Sequence, residues 1–191
     1  MKKLTLADIR PPKVYERARD RARAEVMARK RDRRVALGDC VTLVFENRLT
    51  MTFQVEEMVR AEQLEDPRKI QAEIDVYNSL LPGPGELAGT LFVEITDSEA
   101  IRATLHRLVG IDEQLRLAIG EVIVPAQFEA GRSEADRISS VQYLRFPLPA
   151  RAQELLQQPG TRLELACDLP RYRQSVVLPE TTRASLAEDL L

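Results

Sequence analysis

The chain has 191 residues, 44% apolar, 30% charged and 5% aromatic, with a formal net charge of −2. That length and balance suit one domain with a substantial aliphatic core, and exclude both a disulfide-stapled miniprotein and a wholly disordered chain. Cys40 and Cys167 stand far apart and His106 is the sole histidine, so one copy cannot assemble a His/Cys zinc site or a two-His iron site, and neither metal nor cofactor is expected.

Residues 1–34 hold 13 Lys/Arg against 5 Asp/Glu, a net of +8, whereas residues 35–191 carry a net of −10. The pattern reads as a basic helical arm, residues 1–34, on an acidic body, residues 35–191. The start meets Asp8 and Arg10 before any apolar run develops, and no stretch reaches the ~18–20 apolar residues of a membrane span. Neither a secretory signal nor membrane insertion is expected, which implies a cytoplasmic location. Thr5 and Asp8 predict a capped turn ahead of Pro11-Pro12, then a proline-started helix from about Pro12 to Arg33. Its apolar stripe is Val14, Ala18, Ala22 and Val26, with Tyr15 alongside. Arginines cover the other faces, and Glu25 is placed to pair with Arg29.

Gly38-Asp39 reads as a turn, and Val41, Leu43 and Phe45 alternate as a half-buried strand ending at Asn47. Thr50 to Glu62 reads as a helix, with Thr50 as N-cap and Met51, Val55, Met58 and Val59 on one face; alternation at Leu49, Met51, Phe53 and Val55 also fits a strand. A helix after Pro67, carrying Ile70, Ile74 and Tyr77, stops at Pro82-Gly83-Pro84-Gly85. Leu87 to Ile95 alternates as a strand, and a capping box over Thr96-Asp97-Ser98-Glu99 opens a helix with Ile101, Leu105 and Leu108 inward, ending at Gly110. Strands are predicted at Leu115 to Ile119, Val122 to Phe128 and Val141 to Phe146, with a polar loop over Glu129 to Ser140. A helix from Pro149, strands at Leu163 to Cys167 and Ser175 to Leu178, and a helix from Glu180 with Leu186 and Leu190 inward complete the chain. The order predicts a single α+β domain, mostly antiparallel sheet with flanking helices and an Arg-rich N-terminal helix.

Gly83 to Gly89 has the wrong spacing and context for a dinucleotide loop, and no P-loop pattern occurs. His106 is predicted on the solvent side of its helix, and both cysteines as small buried hydrophobes. Cys167 to Tyr172 places a thiol with Asp168, Arg171 and Tyr172 at a strand end, either as a plain turn or as a site. Glu46, Asn47 and Arg48, followed by Gln54, Glu57 and Arg60, put polar side chains between a strand and a helix, where they build an internal network, line a pocket or form a solvated face.

Phe45-Glu46-Asn47-Arg48-x-Thr50, Gln54-x-x-Glu57-Met58-x-Arg60-Ala61-Glu62, Tyr77-Asn78, Leu108-Val109-Gly110-Ile111 and Gln142-Tyr143-Leu144-Arg145-Phe146 resemble the bacterial family of domain of unknown function 3501, from Leu4-Thr5 to the C-terminal helix. A histidine commonly precedes the proline in that family's counterpart of Asp168-Leu169-Pro170-Arg171-Tyr172; Leu169 departs from it here. The resemblance implies a genomic setting near rubrerythrin-like di-iron proteins and iron-sulfur oxidoreductases, and hence an accessory role in redox or oxidative-stress metabolism. The leading expectation is a non-catalytic accessory protein that binds a protein partner, a redox protein if the resemblance holds, through Arg17, Arg21, Arg31, Arg33 and Arg34 and the polar residues after the first strand. Nucleic-acid binding by the same arm is less favoured, because acids interrupt it and Tyr15 is its lone aromatic. The third expectation is an enzyme whose Glu46, Arg48, Glu57 and Arg60 share a pocket, with Glu57 as acid or base and the Cys167 to Tyr172 turn across its mouth.

Overall fold

Apolar alternation in the second half of the chain resolves into paired strands, as the sequence predicts. In the computed structural model, which describes residues 1–95, 99, 101–130 and 138–190, the strands are β1 (Arg34–Leu37), β2 (Val41–Glu46), β3 (Glu86–Val93), β4 (Leu115–Ile119), β5 (Val122–Pro125), β6 (Gln127–Phe128), β7 (Val141–Pro147), β8 (Leu163–Leu169) and β9 (Tyr172–Leu178). They form a five-stranded sheet in the order β1-β2-β3-β7-β6 and a four-stranded sheet in the order β5-β4-β8-β9. Every pairing is antiparallel. The helices are α1 (Pro12–Arg31), α2 (Arg48–Ala61), α3 (Pro67–Leu80), α4 (Ile101–Arg107), α5 (Ile111–Gln114), α6 (Ala150–Gln157) and α7 (Glu180–Ala187). The fold is α+β.

Two apolar clusters hold it together. The larger joins Val41, Leu43 and Phe45 of β2, Leu87 and Leu91 of β3, and Leu144 and Phe146 of β7 to Leu115, Leu117, Ile119, Leu163, Leu165 and Cys167 of the other sheet. Phe45 and Phe146 rings meet there at 6.0 Å. The smaller joins Leu4 and Ile9 to Met51, Val55 and Val59 of α2, Ile74 of α3 and Leu81. Directly paired residues share a sheet face. Opposite the large core, the five-stranded sheet therefore aligns Glu46 with Ala88 and Arg145, Val44 with Thr90 and Tyr143, and Arg145 with Gln127. This polar row positions the candidate site.

Local chemistry explains most departures from the sequence reading. The expected turn at Leu6–Asp8 forms, closed by Thr5 and Asp8. In α1 the buried residues are Tyr15, Ala22 and Val26, while Val14, predicted inward, is 52% exposed: Tyr15, with its ring under Arg10, takes the inner position. Arg29 reaches Glu188 at 2.5 Å instead of pairing with Glu25. The N-cap of α2 is Asn47, not Thr50; Thr50 is the reciprocal partner three residues on, and the strand alternative for Leu49 to Val55 is excluded. Val122 to Phe128 is not one strand: β5 pairs with β4 and β6 with β7, so the chain passes from one sheet to the other at Pro125-Ala126. Ile101, predicted inward, is 43% exposed. β1, too short and charged to register as a strand, pairs with β2 across the turn at Gly38. That turn needs glycine, because φ is +72° and a Cβ would stand 2.6 Å from the Tyr172 hydroxyl oxygen. The capping box over Thr96-Asp97-Ser98-Glu99 rests on residues 96–98, which lie outside the described residues, as do 131–137 of the predicted polar loop.

Candidate functional site

The expected pocket of Glu46, Arg48, Glu57 and Arg60 does not exist as one cleft. Glu57 lies in the α1-α2 seam, where Arg19 donates to it at 2.8 and 3.0 Å and Tyr15 at 2.6 Å, with Arg60 3.6 Å away. Arg19 holds the Glu57 carboxyl down at about 2 against a burial that favours the neutral acid, while burial, and then Glu57 itself, pushes the Tyr15 phenol up. An acid so fully engaged is poorly suited to acid-base work near neutrality. Arg48 binds Asp8 at 2.6 Å and the Lys2 carbonyl at 3.2 Å. Asn47 caps α2 and donates to Asp189 at 3.3 Å. Gln54 is half-buried on α2. Arg60 borders a separate surface cleft with Pro12, Lys13 and Glu65.

The Cys167 to Tyr172 segment is the β8-β9 hairpin, and it does not line the Glu46 cavity. Asp168 pairs with Arg116 on the four-stranded sheet. Arg171 approaches His106 Nδ1 at 3.5 Å, and His106 is exposed as predicted. Tyr172 is buried and donates to the Leu37 carbonyl. Beside it, Arg107 stacks over the Tyr172 ring at 5.1 Å and reaches Asp39 at 2.9 Å and Cys40 Sγ at 3.1 Å. Both thiols are free and buried, and burial pushes each upward from its ordinary value, which makes them inert thiols at neutral pH.

Part of the basic arm is neutralised by the body. Arg10, Arg19, Arg29, Arg33 and Arg34 pair with Glu56, Glu57, Glu188, Asp189 and Glu94. Arg33, expected on a partner-binding face, is instead fully buried and donates to the Phe45 and Ser185 carbonyls at 2.9 Å as well as to Asp189. Exposed on α1 remain Lys13, Arg17, Arg21, Arg23 and Arg31, interleaved with Glu16, Asp20 and Glu25.

Among the predicted residues that line cavities, Glu46 is the one with a buried carboxylate. It lines, with Thr90, Gln127, Phe128, Tyr143, Arg145 and the end of α3 at Ser79 and Leu80, a cavity of about 190 Å³. Glu46 is 2% exposed. Its Oε1 accepts from the Thr90 hydroxyl at 3.1 Å, and no donor among the described residues reaches its buried Oε2. Arg145 is held by the Leu81 carbonyl at 2.7 Å, Glu86 at 3.0 Å and the Ser79 carbonyl. Sequence reasoning missed Thr90, Gln127, Tyr143 and Arg145, because only the β3-β7-β6 register brings them beside Glu46. The alternation of Tyr143 and Arg145 with buried neighbours was the available signal. Among the described residues no three His, Cys, Asp or Glu side chains gather as a metal-binding group, and no helix is long and apolar enough to cross a membrane.

Comparison with known proteins adds a family and a fold. The family model described as Protein of unknown function (DUF3501) matches residues 3–190. A crystal structure of a novel protein of unknown function from Burkholderia pseudomallei K96243 is similar over 100% of both chains, at 32% identity and a TM-score of 0.92. No curated protein matches.

Proposed function

The chain belongs to the family described as Protein of unknown function (DUF3501), a description that names no activity, and we propose from the site itself that the protein binds a small ligand in the cavity at Glu46. The observation that carries this reading is the buried Glu46 carboxylate with one oxygen on Thr90 and the other without a donor among the described residues. Leaving a buried polar group unmet costs about 1–3 kcal/mol, more when it is charged. A chain that keeps such a group beside a cavity breaks a local rule that most of its interior obeys, and such breaks concentrate at functional sites. A thermal-shift panel of small metabolites tests it. At least one compound should raise the melting temperature of the wild type and leave Glu46→Gln unmoved; a wild type indifferent to every charge class in the panel would contradict the reading.

A second reading, an accessory protein that docks on a partner through α1, is favoured by one observation. Val14, Arg17, Arg21, Ala24, Ala28 and Arg31 follow helical spacing and are all exposed, an outward stripe mixing apolar and arginine side chains. The intervening acids suit a protein surface better than a phosphate backbone. A redox partner rests on the family resemblance alone. Truncation is a poor test, since residues 1–34 contribute Tyr15, Val26 and Arg33 to the interior. Reversing Arg17, Arg21 and Arg31 to Glu is the sound one: surface changes cost roughly 0.5 kcal/mol each at most, and a co-purified partner should be lost from the variant. Undiminished recovery of every partner would remove this reading.

A further inference from the structure

We propose that the group taken up at Glu46 is a primary alkylammonium, carried by a small free amine or by a lysyl side chain of a partner protein; this rests on the ligand-binding reading above. The argument begins with sign. Among the described residues Arg145 is the one guanidinium lining the cavity, and its two terminal nitrogens are engaged by the Ser79 and Leu81 carbonyls and the Glu86 carboxylate. This engaged guanidinium is set against two acids lining the cavity, Glu46 and Glu129, and no donor among the described residues reaches the buried Glu46 Oε2. Charge complementarity therefore selects a cation.

Geometry narrows the class. A guanidinium binds best with two parallel bonds to both oxygens of a carboxylate. At Glu46 the Thr90 hydroxyl already takes one acceptor site of Oε1, which leaves less room for a two-bond guanidinium fork than for the compact point charge of an ammonium. A divalent cation would need about six oxygen ligands; Glu129 also lines the cavity, but no group of three His, Cys, Asp or Glu side chains gathers among the described residues. Gln127 shares the sheet face of Glu46 and lines the same cavity, offering its amide oxygen to another N–H bond. Leu80 and Phe128 line it too and provide apolar surface for a short alkyl stem. The volume of about 190 Å³ corresponds to roughly six water molecules. That admits a four-carbon amine.

Isothermal titration of the full-length protein with n-butylamine, Nα-acetyl-lysine methylamide, butylguanidine, butanol and butyrate tests this. Butylamine should bind the wild type, with butanol and butyrate at least tenfold weaker and butylguanidine weaker than butylamine. Glu46→Gln, checked for an unchanged far-UV spectrum, should weaken butylamine at least tenfold; equal affinity in that variant would overturn the proposal. The wild-type series stands by itself should the variant fail to fold. Tighter binding of the lysine derivative than of butylamine supports the proposal and assigns the source to a partner's lysine; weaker or equal binding supports it with a free amine. Butyrate, butanol or butylguanidine binding as tightly as butylamine would overturn the ammonium assignment while leaving a ligand-binding cavity. Silence from all five compounds would overturn it too, and the ligand-binding reading falls with it only if the metabolite panel is also silent.

Discussion

Glu46 and Glu57 are two carboxylates of similar sequence context with opposite situations. Glu57 is saturated by Arg19 and Tyr15, and its folded value of about 2 lies below the ordinary 4.5. A carboxyl depressed on folding stabilises the protein above its unfolded value, and that contribution is lost as pH falls from about 4.5 through about 2. Because the pair is partly solvated, Glu57→Gln should cost about 1–2 kcal/mol at pH 7, less than the full shift implies. The gap from wild type should close at pH 2–3, as followed by urea midpoints across that range. A gap independent of pH would refute this account of Glu57. Substitution at Glu46 should have the opposite effect on stability, since it replaces a buried, half-partnered carboxyl. Glu46→Gln is expected to raise stability by about 1 kcal/mol, ~2–4 °C in melting temperature for a chain of this size. A fall of that size would show the carboxylate to be structural. The sequence marked both residues as polar positions between strand and helix, yet it could not separate them, because the partners of Glu57 lie 38 and 42 residues away and Thr90 lies 44 residues from Glu46.

Elements show where periodicity was informative and where it failed. Long amphipathic or alternating segments were legible: α1, α3, β3, β7 and β8 stand close to their predicted places, because burial of one face imposes the period. Short or two-sided segments were not. β2 is buried on both faces and so blurs its own alternation, and the split of β5 from β6 depends on which sheet each strand finds. Charge was the most misleading signal, since net +8 in residues 1–34 says nothing about where the counter-charges lie. The Arg33-Asp189 pair anchors the end of α1 and the C-terminal turn at Glu188–Leu190 to β2 and α2. Burial raises the Asp189 carboxyl even with Arg33 beside it. Arg33→Met should therefore destabilise by about 3–5 kcal/mol, by stranding a buried acid. Arg33→Met with Asp189→Leu should recover much of that loss in denaturant titrations; a double variant no better than the single would contradict the pairing argument. Within the sheet, β2 and β3 approach closely at Gly89, where a Cβ would lie 2.8 Å from Leu43 Cδ1 and 3.2 Å from the Val44 carbonyl. Gly89→Ala should cost about 1–3 kcal/mol through overpacking, and a thermal midpoint equal to wild type would show that Leu43 moves aside freely.

At the scale of the whole molecule, the α+β class and the family were both readable from the chain, and the site was readable only in its first residue. Two sheets share one core, and the face of the five-stranded sheet turned away from that core collects Glu46, Thr90, Tyr143, Arg145 and Gln127 from four strands. No local pattern announces a constellation assembled by strand register. The central claim is that this cavity receives an ammonium at Glu46, and nuclear magnetic resonance of the full-length protein with n-butylamine tests it most directly. The account predicts intermolecular Overhauser contacts from the butyl methylenes to Leu80, Phe128 and Tyr143, together with a shift of the Glu46 carboxyl carbon that saturates with ligand. Contacts confined to other surfaces, with the Glu46 carbon unmoved at saturation, would contradict it.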